Sequence, residues 1–162
     1  MRDVEQMVWM HEGGRGLIYV RFKKLTDTAM TPTKGSAFAA GYDLYADTDR
    51  DIVVQPGEVV PFYAGIALEI PEGYFGAIYP RSGLATKFGL RLPNCVGIVD
   101  ADYRGNVGIP LRNDSEHPVT VVAHERIAQI VFQKCPDVAL YEADNLSKTE
   151  RGTGGFGSSG RV

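Results

Sequence analysis

Cysteine is scarce: Cys95 and Cys135 are the only two in 162 residues, and no C-x-x-C spacing joins them. A disulfide scaffold or zinc site is not expected, and both thiols are predicted to be reduced and buried, as in a reducing compartment. Histidine is equally sparse. His11, His117 and His124 are scattered without metal-motif spacing. No apolar run approaches the ~18 residues that would suggest a membrane span. Excess positive charge is missing too: the formal net charge is −3, which leaves no global basic field to hold a nucleic-acid backbone. Neither nucleic acid nor membrane is therefore an expected partner. A local anion site built from backbone amides and a few arginines stays open. Helical periodicity is nearly absent. Its best candidate is a short turn at 82–87, where Ser82 is placed to cap the amides after it.

What the chain does carry is turn chemistry. Its 19 glycines and 9 prolines punctuate short β-prone runs, the pattern of an all-β sandwich or barrel. Strands are predicted at 17–22, 42–45, 51–54, 59–70, 74–79, 90–92, 96–99, 105–111, 119–122 and 126–133. Within the fourth, Ile66, Leu68 and Ile70 alternate with Ala67 and Glu69, so one face is buried and one is wetter. The last run differs. Ile127 and Val131 point one way and Ala128, Ile130 and Phe132 the other, so this strand should be covered on both faces, in a sheet core or at a subunit contact.

Residues 1–16 lack the apolar stretch of a secretory signal and the acid-poor character of a transit peptide, and read as a flexible leader on a soluble, cytoplasmic protein. One β domain is expected over 17–135. Residues 136–150, opened by Pro136, read as a linker. Residues 151–162 are too rich in glycine and serine to build a core, and alone should be disordered.

Five segments stand out. They are Ala40-Gly41-Tyr42-Asp43-Leu44-Tyr45-Ala46; Pro80-Arg81-Ser82-Gly83-Leu84-Ala85; the stretch from Asn94 that holds Gly97-Ile98-Val99-Asp100-Ala101-Asp102-Tyr103-Arg104-Gly105; Glu125-Arg126-Ile127-Ala128-Gln129; and the tail from Arg151 through Phe156 to Gly160. In order and spacing they resemble the five motifs of the homotrimeric dUTPase family, a likeness running from about Ile18 to the C-terminus. The resemblance implies a distorted jelly roll or barrel of the β-clip, dUTPase-like kind, with one short helix and a flexible Gly-rich C-terminal arm. It also implies a homotrimer with shared active sites that hydrolyses dUTP to dUMP and pyrophosphate, using Mg²⁺.

Roles for individual residues follow from the same resemblance. Asp100 would activate the attacking water; an ordinary aspartate is ionised at neutral pH and can accept its proton. Ser82 would lie near the oxygen bridging the α- and β-phosphates, where charge develops, with Arg81 and Gly83 beside the phosphate chain. Asp43 would support the Mg²⁺ site through water. No direct protein ligand to the metal is expected, since Mg²⁺ keeps waters and binds substrate phosphates. Tyr103 would lie against the deoxyribose and exclude a 2′-hydroxyl. Asn94, Gly97, Ile98, Val99 and the return strand at Gly108 would form a hairpin whose backbone pairs with the uracil edge. Gln129 would lie near the phosphates or the subunit contact, while Arg126 would serve a salt-bridge network. In the arm, Arg151 suits the γ-phosphate, Phe156 the uracil face, and Gly157 and Ser158 the phosphates.

Three rivals are weighed against this reading. A dCTP deaminase shares the fold, but needs a glutamate that the third motif lacks, and ammonia release from dCTP would identify it. A nucleotide-switched docking protein, whose leader 1–16 would be the place to look, would bind without turnover. A purely structural jelly roll would gain no stability from any nucleotide.

Overall fold

The computed structural model describes residues 17–155. The expected leader, and with it Phe156, Gly157 and Ser158 of the arm, lie outside the described residues. Within them the strands are β1 (Arg21–Lys24), β2 (Tyr42–Tyr45), β3 (Ile52–Val54), β4 (Val59–Tyr63), β5 (Ile66–Glu69), β6 (Tyr74–Pro80), β7 (Leu90–Arg91), β8 (Gly97–Val99), β9 (Gly108–Asn113), β10 (Val119–Val121) and β11 (Arg126–Lys134). The one helix among the described residues, α1, is Ser82–Phe88. The all-β expectation holds. Every strand pair is antiparallel. They form a four-stranded sheet β2-β11-β6-β8, a three-stranded sheet β4-β9-β7, and the pairs β1-β5 and β3-β10. No helix among the described residues is long and apolar enough to cross a membrane.

Alternation builds the core. In β9, Ile109 and Leu111 point inward while Arg112 is exposed. Each such aliphatic side chain, once buried, contributes about 1.5–3 kcal/mol. Asn113 ends the same inward row and is fully buried. Its amide uses all four of its hydrogen-bonding sites. Nδ2 donates to the carbonyls of Val54 (2.9 Å) and His117 (2.8 Å), and Oδ1 accepts from the amide (2.9 Å) and hydroxyl (2.8 Å) of Ser115. Beside it, Asp114 accepts from Arg91 and from Arg112 Nε (2.7 Å), fastening β7 to β9. The Arg112 hydrogen bond leads in holding the Asp114 carboxyl below its usual range. With its folded pKa depressed, this group favours the fold above the unfolded value, and the contribution fades as pH falls through the folded one.

β11 is central, paired to β2 on one side and β6 on the other. Its two apolar faces are real: Ile127, Ala128 and Ile130 are buried, and Val131 and Phe132 half-buried. Consecutive Ile127 and Ala128 both reach the core because the register against β2 shifts between Arg126 and Ala128. A bulge of this kind breaks the alternation for one residue.

The run 59–70 is two strands, not one. Gly65 divides them at φ 66°, a conformation that favours glycine. A Cβ there would also fall 2.4 Å from Asp47 Oδ2 and 2.8 Å from the Ala29 Cβ. The break sends β4 to β9 and β5 to β1. The first strand begins at Arg21, later than expected, and the eighth predicted run, 105–111, is ordered as a strand only from Gly108. Both thiols are free as expected, but Cys95 and Cys135 are exposed, not buried. Each lies in a loop flanking a strand of the four-stranded sheet, outside its packed face.

His124, in the turn before β11, adopts φ 56° and its Nδ1 is buried without a hydrogen-bond partner among the described residues. A left-handed conformation costs an ordinary residue about 1–2 kcal/mol, and an orphaned buried nitrogen adds to that. Part of the gain from glycine is offset by its freer unfolded chain. His124→Gly is therefore expected to raise the thermal midpoint by roughly 2–4 °C, for a net gain of about 1 kcal/mol. Thermal unfolding of the two proteins checks it, and a lowered midpoint would show that the imidazole packs favourably.

Candidate active site

The motif residues gather where β2, β6 and β11 meet the start of α1. In the sheet register Asp43 on β2 lies opposite Gln129 on β11, which lies opposite Tyr79 on β6. Pro80 ends β6, and Arg81 and Ser82 follow at once. A cavity of about 240 Å³ opens there, lined by Gly35, Gly41, Asp43, Arg81, Ser82, Gly83, Arg126 and Gln129 among others. Three of the five motifs thus contribute to one cleft. A larger groove of about 400 Å³ lies elsewhere, walled mainly by apolar groups such as Val20, Phe22, Tyr42 and Phe132. Lys34 is the one charged side chain in its lining, so it offers far less to a phosphate chain than the cleft does.

Asp43 organises the cleft. Its side chain is only 13% exposed, and each carboxylate oxygen holds one guanidinium: Oδ1 takes Arg81 Nε at 3.1 Å and Oδ2 takes Arg126 Nη1 at 3.1 Å. Arg81 Nη1 also donates to the Arg126 carbonyl at 3.1 Å, locking β6 to β11 across the cleft mouth. Arg126 thus serves the salt-bridge network expected of it. The partnership of Arg81 with Asp43 was not foreseen, since nothing in the sequence spacing links β2 to the β6–α1 junction. Gln129 Nε2 donates to the Pro80 carbonyl at 3.2 Å, which answers the need of a polar group on an otherwise apolar strand.

Ser82 is not the cap. Arg81 takes the N-cap position with extended backbone, no side chain caps the helix, and Ser82 is its first helical residue. Helix geometry leaves the first N–H groups without intrahelical partners, so Ser82 and Gly83 bring hydroxyl and amide donors to the cleft wall. The Ser82 carbonyl accepts from Thr86 Oγ1 at 2.7 Å.

The third motif is placed differently. Gly76 of β6 lies opposite Val99 of β8, so Asp100 follows β8 near the Tyr74 end of β6, whereas Ser82 follows its Pro80 end. At ~3.3 Å per residue the two are about 20 Å apart along the sheet. The Asp100 carboxylate is exposed and makes no hydrogen bond or ion pair with another described residue. A tight turn follows, with Tyr103 N–H donating to the Asp100 carbonyl at 3.2 Å. Tyr103 is exposed at 45%. The expected hairpin between 94–100 and Gly108 is corrected: β8 pairs with β6, while β9 pairs with β4 and β7. The two arms enter different sheets, so the backbone edges of Gly97, Ile98 and Val99 and of Gly108 are not joined by a ladder. Asn94 lies in the turn before β8, its carbonyl accepting from Val96 N–H at 2.7 Å. Arg151 closes a local turn, Nε to the Gly154 carbonyl at 2.9 Å.

One chain therefore unites Asp43, Arg81, Ser82, Gly83 and Gln129, and holds Asp100 and Tyr103 at a distance. Among the described residues no three His, Cys, Asp or Glu side chains cluster to hold a metal. Asp43 fits a hydrated, phosphate-bound Mg²⁺ better than a bare ion. Both its oxygens already hold arginines, yet a carboxylate keeps further lone pairs for water.

The dUTPase family model matches residues 27–160. The deoxyuridine 5'-triphosphate nucleotidohydrolase of Desulfitobacterium hafniense (strain DSM 10664 / DCB-2) is 42% identical over 145 residues, covering 89% of this chain and 94% of the relative. That of Syntrophotalea carbinolica (strain DSM 2380 / NBRC 103641 / GraBd1) is 44% identical over 145 residues, 88% of this chain and 97% of the relative. Among solved structures, the Staphylococcus bacteriophage 80alpha dUTPase with dUPNHPP superposes with a TM-score of 0.81 at 30% identity, over 88% of this chain and 98% of that one.

Proposed function

The chain belongs to the dUTPase family and is a dUTP diphosphatase, and from that premise we propose that an Asp100-activated water cleaves dUTP at the α-phosphorus. The oxygen of water bonds to that phosphorus as Asp100 accepts its proton. The bond to the oxygen bridging the α- and β-phosphates breaks, and pyrophosphate departs with that oxygen, leaving dUMP. A positioned base of this kind contributes about 10²–10⁴-fold. The exposure of the Asp100 carboxylate and its lack of a partner among the described residues support the role, because none of them competes for its lone pairs.

The cleft supplies the phosphate side. Ser82 and Gly83 present donors to the oxygens where charge develops. Arg81, fixed by Asp43, offers its remaining N–H groups to the phosphate chain. Mg²⁺, held by the triphosphate and waters with Asp43 behind them, would supply charge neutralisation and orientation of the phosphate oxygens. The backbone of Gly97, Ile98, Val99 and Gly108, with Asn94, reads the uracil edge, and Tyr103 packs on the deoxyribose. Arg151, Phe156, Gly157 and Ser158 close over the bound nucleotide.

The observation that carries the assembly is the separation of Asp100 from Ser82 within one chain. A base about 20 Å from the phosphate cleft cannot serve it, so a second copy must bring the third motif to the cleft of the first. We read the protein as a homotrimer with three shared sites. Residues 136–150 support this, since Leu140 (95% exposed), Tyr141 and Leu146 present apolar side chains that find no cover among the described residues. The reaction, placed in the cytoplasm, supplies dUMP for thymidylate synthesis and keeps dUTP too low for polymerases to insert uracil.

The test is pyrophosphate release from dUTP, dTTP, dCTP and UTP, each with Mg²⁺ and with EDTA. Fast release from dUTP alone, abolished by EDTA, is the expected result. Release from several nucleotides would break the base and sugar readout; nucleotide binding without release would favour the switched docking protein.

A further inference from the structure

The turn that joins Asp100 to Tyr103 is stapled by a single side chain, and from this we infer that Arg104 is a positioning residue that sets both turnover and the refusal of ribonucleotides. The inference rests on the reading of Asp100 as base and Tyr103 as the sugar platform. Arg104 Nη1 donates to the carbonyl of Ala101 at 2.6 Å and to that of Tyr103 at 3.1 Å. These carbonyls flank Asp102, so one guanidinium nitrogen grips the turn from both sides. The same nitrogen lies 3.4 Å from the carbonyl of Leu68, a buried residue of β5, which ties the turn to the core.

Tyr103 is held in the same unit. Its ring folds back over Gly105, where a Cβ would fall 2.4 Å from Oη and 2.6 Å from Cζ. Its hydroxyl donates to the Asn106 carbonyl at 3.0 Å. Arg104 makes no ion pair with any described residue, so its donors serve carbonyls alone. An exposed arginine without a carboxylate partner ordinarily waves in solvent. Here it fixes the angle between the carboxylate that takes the proton and the ring that faces the sugar. Loosening it lets the ring drift from the 2′ position and the carboxylate from the water, and a misplacement near 1 Å costs up to about 100-fold in rate.

The test uses the full-length, assembled enzyme with Arg104→Ala and Arg104→Lys, assayed on dUTP and on UTP with thermal midpoints taken alongside. For Arg104→Ala the expected kcat on dUTP is lower by up to about 100-fold. Its KM for dUTP should change far less than kcat, because Arg104 touches only backbone carbonyls and none of the cleft donors on Arg81, Ser82 and Gly83 that hold the phosphate chain. The preference for dUTP over UTP in kcat/KM should fall at least about tenfold. Arg104→Lys should recover most of both losses, since all three contacts leave from one nitrogen and an ammonium carries three N–H groups. Arg104→Gln gives the same readout if the alanine variant does not fold. An unchanged dUTP preference overturns the inference, as do equal losses on dUTP and UTP with a lowered midpoint, which would make Arg104 a loop brace only. A wild-type enzyme that leaves dUTP intact overturns the parent reading, and this one with it.

Discussion

Asp100→Asn is expected to bind dUTP as the wild type does and to lose about 10²–10⁴-fold in turnover. The substitution keeps the shape of the side chain and removes its capacity to take a proton. It should leave the fold intact, because the Asp100 side chain is exposed and holds no other described residue in place. Its backbone carbonyl, which closes the turn to Tyr103, is untouched. Calorimetric titration with dUTP, paired with pyrophosphate release, separates the two effects. Loss of binding together with turnover would make the residue structural. Retained turnover would pass the role of base to another group, and Asp102 would be the first to test.

A second large effect is expected at Asp43. Its two oxygens each hold a guanidinium in a poorly exposed site. In Asp43→Asn one oxygen becomes an NH₂ group that points its donors at a donor, and the negative charge between two cations is gone. Hydrogen bonds to charged groups contribute about 1.5–3 kcal/mol, so the thermal midpoint should drop measurably. Activity should fall about 10–100-fold, the range for loss of a group that orients a metal through water. The Mg²⁺ concentration for half-maximal rate should rise as well. If stability falls and the Mg²⁺ dependence does not move, the carboxylate is a clamp for Arg81 and Arg126 and nothing more.

The local features of this molecule were legible in the sequence. The strands lie within or beside the runs picked out by β-prone residues and turn signals, and the short helix begins where Ser82 marked it. The doubly covered strand was visible as apolar residues on both faces of 126–133, and the salt-bridge role of Arg126 was expected before its partner was known. What failed was non-local or a matter of one residue. Partition of strands among sheets depends on pairings between distant segments, so the imagined hairpin to Gly108 proved to be two strands in separate sheets. Gly65 cut a continuous apolar run because its backbone turns left-handed against Asp47 and Ala29. Ser82 missed the cap by one position, a shift no pattern of side chains encodes. The link from Asp43 to Arg81 needed β11 to carry one strand's register across to another.

The four-stranded sheet also determines how ligand and assembly talk to each other. Its order places the phosphate cleft and the Asp100 turn at opposite ends of β6, so on the trimer reading each nucleotide touches two copies at once. Such a ligand is glue. By reciprocity, whatever factor assembly adds to nucleotide affinity, the nucleotide adds to subunit association. A falling dUTP level would then loosen the oligomer as well as empty its sites, and a molecule spanning cleft and turn would hold the copies together while silencing them.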